Sequence, residues 1–495
     1  MDIHSAVLAI DQGTTSTRAI LFDHQAREIT SAHQEFNQYY PRDGWVEHDP
    51  EDLWRTTLRS IERVLQGPSA RHTRVVAMGI TNQRETTLVW DRETGKPVYN
   101  AIVWQDRRTA SECERLRQQV PEHEIQSRSG LLIDPYFSAT KIAWILDNIE
   151  GARARAERGE LLFGTVDTWL IWKLTGGAVH ATDATNASRT NLYNIHRGEW
   201  DDDLLQIFRV PKAMLPEVRD CAADFGTTLP SLTCRQEIPI CGVAGDQQAA
   251  AIGQCCFAKG EVKATYGTGC FVLLNTGSEP ILSTQRLLTT IAWQLDGQVA
   301  YALEGSIFIA GAAVQWLRDE LGIIRSAAET EVLARRLSSN KGVYMVPAFT
   351  GLGVPWWRPD ARAAIVGLTR GAGKAELARA ALEAVCYQTS DLFAAMEAEG
   401  LRPTSLRVDG GMVANNWMLQ FLADVLDTEV LRPAILETTA LGVAYLAGRK
   451  AGLYGDFEQF DALWHCTAEF VPAMDNSLRQ QLLGEWARAV QRVTL

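Results

Sequence analysis

Short apolar runs alternate along this chain with polar, glycine-marked breaks. A first run, Ala6 to Ile10, stops at Asp11-Gln12-Gly13-Thr14-Thr15-Ser16-Thr17-Arg18, and a second follows from Ala19 to Phe22. Runs of this length around a turn predict two strands, Val7–Ile10 and Arg18–Phe22. Asp49-Pro50-Glu51-Asp52 predicts a helix that continues through Val64, with acidic residues at its positive end. Val75–Ile80 is wholly apolar, which predicts a buried parallel strand. Thr86–Trp90 and Ala101–Trp104 predict further strands with a Thr-Gly turn between them, and Ser138 to Asn148 predicts a helix.

The second half opens in the same way. Glu261 to Leu274 runs strand, Gly267-Thr268-Gly269 turn, strand, so a Gly-Thr turn stands where Gly13-Thr14 stands in the first half. This predicts two related α/β domains, 1–253 and 254–495, divided after Gly242-Val243-Ala244-Gly245-Asp246. The stretch 226–239 predicts a surface loop. A chain of 495 residues is long enough for two or three such units.

Composition narrows the partners. The net charge is −12 with no long basic block, which argues against nucleic acid or an anionic membrane as the main partner. The nine cysteines are scattered without C-x-x-C spacing, and the nine histidines are isolated. A disulfide framework or a zinc site does not fit this pattern; reduced thiols in the cytoplasm do. The N-terminus carries Asp2 and no basic region, so it does not read as a signal peptide. The longest apolar stretch, Phe308 to Leu317, is about half a bilayer span and contains Gln315.

Four motifs could carry chemistry, and each has a plain alternative. In the opening stretch Gly13, Thr14, Thr15 and Ser16 would present backbone N–H groups and hydroxyls to phosphate oxygens. Arg18 could add a charged fork, and Asp11 could hold Mg²⁺ directly or through water. A polar hairpin turn fits the same residues, and no Walker A pattern is present. Asp409-Gly410-Gly411-Met412 follows an apolar strand and precedes an amphipathic helix; it fits a close backbone approach to a ligand or an Asn-capped loop. Asp246 fits a general base, or an N-cap of the alanine-rich helix after it. Arg84 and Glu85 follow the buried strand, and both can face one ligand only if the chain bends there. Trp104, Tyr136 and Phe271 by themselves fit core aromatics.

Taken together, these blocks resemble the FGGY carbohydrate kinases, in particular the members that phosphorylate glycerol. The likeness covers essentially the whole chain. It rests on IDQGTTSTR (10–18), GITNQRETT (79–87), VWQDRR (103–108), the signature Tyr136 to Asn148, GVAGDQQAA (242–250), TYGTGCF (265–271), the second signature Ala363 to Glu383, and VDGGMVANN (408–416), in that order. The resemblance implies two actin-like (ribonuclease H-like) domains with the active site in the cleft between them. It implies ATP-dependent phosphorylation of glycerol to sn-glycerol 3-phosphate, with ATP and Mg²⁺, in a cytoplasmic dimer or tetramer. It assigns the ATP phosphates to Thr14, Thr15, Ser16, Arg18 and Thr268, and the rest of the nucleotide to Gly311, Gln315, Gly411, Met412 and Asn416. Glycerol falls to Arg84, Glu85, Tyr136, Asp246 and Gln247, with Trp104 and Phe271 against its carbons. Asp246 and Arg18 carry the chemistry, and Asp11 and Asp246 the metal. Some members are inhibited by fructose 1,6-bisphosphate at a glycine- and basic-rich loop, and others are activated on a histidine nearby. Here 227–235 keeps Arg235 but not the glycines or the lysine, and no histidine lies between His196 and His465, so the resemblance implies neither control. Another member of the family, acting on a pentulose or gluconate, or a non-catalytic actin-like switch, are the alternatives.

Overall fold

The computed structural model describes residues 4–358 and 360–494. The first half is built on a five-stranded sheet. Its strands are β1 (His4–Gln12), β2 (Ser16–Asp23), β3 (Glu28–Glu35), β4 (Thr73–Asn82) and β5 (Ile240–Gly245), with helix α1 (Pro50–Gln66) between β3 and β4 and helix α2 (Asp246–Gly253) directly after β5. The order across the sheet is β5-β4-β1-β2-β3. β1, β2 and β3 pair antiparallel, while β4 and β5 run parallel to β1.

β1 is buried on both faces, which is why it reads as one apolar run. Ala6, Leu8 and Ile10 point into one core with α1 residues Leu53 and Ile61, and Val7 and Ala9 into another with Ala244 and Ala249. β3 lies at the edge and alternates polar and half-buried positions, as an exposed edge strand should. Asp49 caps α1 by accepting from the Glu51 N–H at 2.9 Å.

The second half repeats the plan. Its strands are β6 (Glu261–Tyr266), β7 (Cys270–Gly277), β8 (Leu288–Leu295) and β9 (Gln298–Ile307), followed by helices α3 (Gly311–Asp319) and α4 (Lys374–Ala398). Then come β10 (Ser405–Asp409), α5 (Asn416–Leu426), β11 (Val430–Pro433), α6 (Thr438–Lys450) and β12 (Cys466–Phe470). The sheet order is β8-β9-β7-β6-β10-β11-β12. As in the first sheet, an antiparallel hairpin, β6–β7, adjoins a strand parallel to its first member, β10.

The two halves meet through helices. α6, from the second half, lies on the first sheet, where Ala440, Val443, Ala444 and Ala447 join the core of Val7 and Ala9. Small residues permit this approach. A Cβ on Gly79 would come 2.3 Å from the Val443 carbonyl oxygen, and one on Gly253 2.0 Å from that of Thr438. α2 and α6 therefore cross with their backbones nearly in contact, each following a strand, β5 or β11.

Two strand expectations change. Thr86–Trp90 narrows to Leu88–Asp91, which pairs with Leu161–Gly164 outside the large sheet. Ala101–Trp104 shrinks to Ala101–Ile102, because the chain turns at Val103, whose carbonyl accepts from the Asp106 N–H at 2.9 Å. No helix among the described residues is long and apolar enough to cross a membrane.

Candidate functional site

The opening stretch is the turn of the β1–β2 hairpin. Gln12 pairs with Thr17, and the Gly13 N–H donates to the Ser16 carbonyl at 3.0 Å. Gln83, at the end of β4, braces this turn by donating from Nε2 to the Gly13 carbonyl and to Gln12 Oε1, both at 3.1 Å. Gly267-Thr268-Gly269 turns β6 into β7 in the same manner, with the Gly267 N–H bonded to the Gly269 carbonyl at 2.9 Å. α3 starts on that second turn. The Ala310 N–H donates to the Thr268 carbonyl and the Gly311 N–H to the Gly267 carbonyl, each at 2.9 Å. A Cβ on Gly311 would stand 2.5 Å from Gly267 O and 3.6 Å from Met412 Cγ, so Gly311, the turn and the β10 loop adjoin.

The chain does bend at Arg84, whose φ of +50° lies in the left-handed region. The bend puts Arg84 and Glu85 at one place, both almost fully buried. The Arg84 guanidinium is shared. Its Nε lies 3.2 Å from Asp246 Oδ1, one terminal nitrogen donates to Tyr136 Oη at 2.8 Å, and the other to Glu304 Oε2 at 2.5 Å. Burial alone would lower the pKa of this arginine, but Glu304 and the carboxylates beside it hold it well above the ordinary value. Asp246 opens α2 as its first residue, with Gly245 as the cap. Its side chain stays 27% exposed. Burial raises its pKa, while Arg84 and Lys263 oppose the shift. Gln247 is buried, and its Oε1 accepts a close hydrogen bond from Lys263 Nζ.

Three rings form a wall beside these groups. Trp104 packs edge-on against Tyr136 and Phe271, with centroids 5.6 and 5.9 Å apart. The Trp104 indole N–H also donates to Thr14 Oγ1 at 2.9 Å. The aromatic wall and the first Gly-Thr turn thus share a side chain.

Arg18 pairs closely with Glu437, the residue before α6. The side-chain carboxylate of Asp11, half-buried on β1, accepts no hydrogen bond among the described residues. Burial pushes its carboxyl up to about 7, with Asp246 and Glu437 adding to the shift and Arg18 opposing it. Among the described residues, no group of three or more His, Cys, Asp or Glu side chains is placed to hold a metal. A cation here would need phosphate or water oxygens as well, which suits Mg²⁺.

The other expected nucleotide residues belong to the second half. Thr268, Gln315, Gly411 and Asn416 are exposed, Gly311 and Met412 half-buried. Asn416 Oδ1 accepts from Arg432 at 2.8 Å. β10 ends on Asp409, which is buried and accepts from Thr438 Oγ1 at 2.6 Å and Gln254 Nε2 at 3.0 Å. Four neighbours escaped the sequence reading: Arg189, Lys263, Glu304 and Glu437. Glu304 is the one charge of its strand, and Lys263 lies between the apolar Val262 and Ala264; a charge flanked by apolar strand positions is the signal that could have found them.

Family models match this arrangement over most of the chain: the N-terminal domain of the FGGY family of carbohydrate kinases over residues 6–253, and the C-terminal domain over 262–451. The chain belongs to the FGGY family of carbohydrate kinases. This FGGY chain is 64% identical over 486 residues to a glycerol kinase of Rhodospirillum centenum, covering 98% of this chain and 97% of that one. It is 58% identical over 487 residues to glycerol kinase 1 of Pseudomonas aeruginosa, covering 98% of each. The crystal structure of the Plasmodium falciparum glycerol kinase with ADP superposes with a TM-score of 0.94 at 36% identity, covering 99% of both chains. A gluconate kinase of Lactobacillus acidophilus shares the FGGY fold at 19% identity, with a TM-score of 0.90 over 99% of this chain and 98% of that one.

Proposed function

We propose that this FGGY kinase transfers the γ-phosphoryl group of ATP to glycerol, giving sn-glycerol 3-phosphate and ADP. The observation that carries the reading is Trp104: one indole packs against Tyr136 and Phe271, our polyol wall, and donates to Thr14 in the turn we assign to the phosphates. Acceptor and donor therefore meet beside Asp246. Arg84, Glu85, Tyr136, Asp246 and Gln247 bind the glycerol hydroxyls, and Trp104 and Phe271 cover its carbons. A pocket built from so many buried polar groups rejects a molecule that leaves one of them unpaired.

The attacking hydroxyl gives its proton to Asp246 as its oxygen bonds the γ-phosphorus in line, and the bond to the bridging oxygen of ADP breaks. Burial raises the pKa of Asp246, which makes its carboxylate a better acceptor for the hydroxyl proton. Thr14, Thr15, Ser16 and Thr268 cradle the phosphates from both sides, Arg18 offsets charge on the moving group, and Gly311, Gln315, Gly411, Met412 and Asn416 hold the rest of the nucleotide. Asp11 and Asp246 are the carboxylates for Mg²⁺, which neutralises phosphate charge when bound. The surplus of carboxylate at Asp11 fits that role. The two units 1–253 and 254–495 form the jaws, and their closure excludes water, a competing acceptor. Nine cysteines without a disulfide match a reducing cytoplasm, and the family points to a dimer or tetramer that light scattering can count.

A coupled ADP-release assay tests the reading. ADP release should depend on added glycerol and exceed that on xylulose, ribulose or gluconate. Asp246→Asn should keep the fold and cut kcat about 10²–10⁴-fold. Faster turnover on any of the sugars would overturn the substrate, and full activity in the variant would remove Asp246 from the mechanism.

A further inference from the structure

Behind the polyol pocket stand two fully buried side chains with no part in the chemistry above. Glu304 sits within β9, in the second half, and Arg189 follows the short helix Ala184–Ala187 in the first. Arg189 Nε donates to Glu85 Oε1 at 2.7 Å, and one of its terminal nitrogens to Glu304 Oε1 at 2.9 Å. Glu304 also accepts from both terminal nitrogens of Arg84, at 2.5 and 3.2 Å. The remaining Arg189 nitrogen has no hydrogen-bond partner. Its guanidinium instead lies over the rings of Tyr136 and Phe137, 5.6 and 5.5 Å from their centroids.

This lattice does little for stability as such. Taking charges out of water costs about as much as their pairing returns, so a buried ion network is weak evidence for a stabilising role. What it does control is pose. Without Glu304, the carboxylate left nearest Arg84 is Asp246, 3.2 Å from its Nε, with Glu85 beyond at 3.7 Å. The Arg84 fork would then turn onto the base. Without Arg189, Glu85 loses its 2.7 Å donor and faces Glu304 across a single shared arginine.

We propose that Glu304 and Arg189 are positioning residues for the polyol. They hold the Arg84 fork and the Glu85 carboxylate in their substrate-facing poses, so that a strand of the second half sets hydroxyl specificity in a pocket whose walls come mainly from the first. The proposal rests on the reading of that pocket as the polyol site. Arg84 serves Glu304, Tyr136 and Asp246 at once, and Glu304 is the partner that takes both ends of its fork.

The test uses the full-length enzyme and two acceptors, glycerol and 1,2-propanediol, which lacks one hydroxyl. Glu304→Gln should raise the glycerol KM at least tenfold, leave the ATP KM within twofold, and shrink the glycerol-to-propanediol ratio of kcat/KM at least fivefold. Arg189→Met should do the same, and Arg189→Lys, which restores the charge but not the fork, should recover part of the ratio. An equal fall for both acceptors, or a raised ATP KM with the ratio intact, would show a structural role and overturn the proposal. Should Glu304→Gln fail to fold, Glu304→Asp keeps the charge, shortens the reach and faces the same criterion. Turnover of glycerol by the unmodified enzyme checks the parent reading separately. If another polyol proves the substrate, the ratio is measured on that polyol and its deoxy analogue.

Discussion

The crossing of α2 and α6 makes a quantitative prediction at Gly442. A Cβ there would lie 1.8 Å from the Ala249 carbonyl oxygen, 2.6 Å from its carbon and 3.1 Å from Cα, all backbone atoms of α2. A carbon meets a carbonyl oxygen comfortably at roughly 3.3 Å, so Gly442→Ala must part the helices by about 1.5 Å. Two terms oppose each other. Alanine gains about 1 kcal/mol over glycine in a helix interior. Overpacking costs about 1–3 kcal/mol, and a backbone clash of this size belongs at the upper end. The net expectation is a loss on the order of 1–2 kcal/mol, read as a fall of a few degrees in Tm. The effect on rate should be larger, because α2 begins with Asp246. A displacement of about 1 Å at a catalytic group can cost about 10²-fold, so kcat should fall about 10–100-fold. Gly484, on the C-terminal helix Asn476–Thr494, is the control: a Cβ there meets nothing within 4 Å. Gly484→Ala should gain up to about 1 kcal/mol and leave kcat unchanged. Thermal unfolding by circular dichroism and the ADP-release assay read both variants. A Gly442→Ala enzyme with unchanged Tm and kcat within twofold would show that the helices do not touch backbone to backbone.

Two further predictions concern charge. Arg18→Ala should lower kcat about 10²-fold or more while leaving the glycerol KM within threefold; a raised KM with kcat preserved would take Arg18 away from the phosphoryl group. Asp391 accepts from the indole N–H groups of Trp486 at 2.9 Å and Trp356 at 3.4 Å, and burial lifts its pKa to about 6. The folded state holds this proton more tightly than the unfolded chain, so the stability it contributes is complete below about pH 4 and is lost as pH rises through about 6. Asp391→Asn keeps an acceptor for both indoles, and should raise stability on the order of 1–3 kcal/mol at pH 8 and not at pH 4. An equal gain at both pH values, followed by urea unfolding, would refute the assignment.

What could be read in advance follows physical range. The β1–β2 hairpin, the Asp49 cap and the Ser138–Asn148 helix depend on neighbours within a few residues, and the chain forms each where the pattern places it. The requirement for a bend at Arg84 was a local argument too, and φ there meets it. Contacts between the halves were beyond such reasoning. Arg18 meets Glu437, 419 positions away, and Arg84 meets Glu304, 220 away. The small residues of α6 announce a close approach, but not that its partner is the first sheet. The strand expected at Thr86–Trp90 shortens because Thr87 pairs with Ile102 in only an isolated bridge, and the continuous ladder to Leu161–Gly164 starts at Leu88.

The hydrogen bond from Trp104 to Thr14 has a thermodynamic consequence. Under the proposed assignment, a polyol resting on the indole ring and a nucleotide resting on the hydroxyl would both bias the orientation of one side chain. Whatever factor the first ligand contributes to the affinity of the second, the second must return to the first. The two substrates of this kinase should therefore bind with synergy of equal size in either order of addition, and Trp104→Phe, which keeps the ring and deletes the donor, should make the two affinities independent.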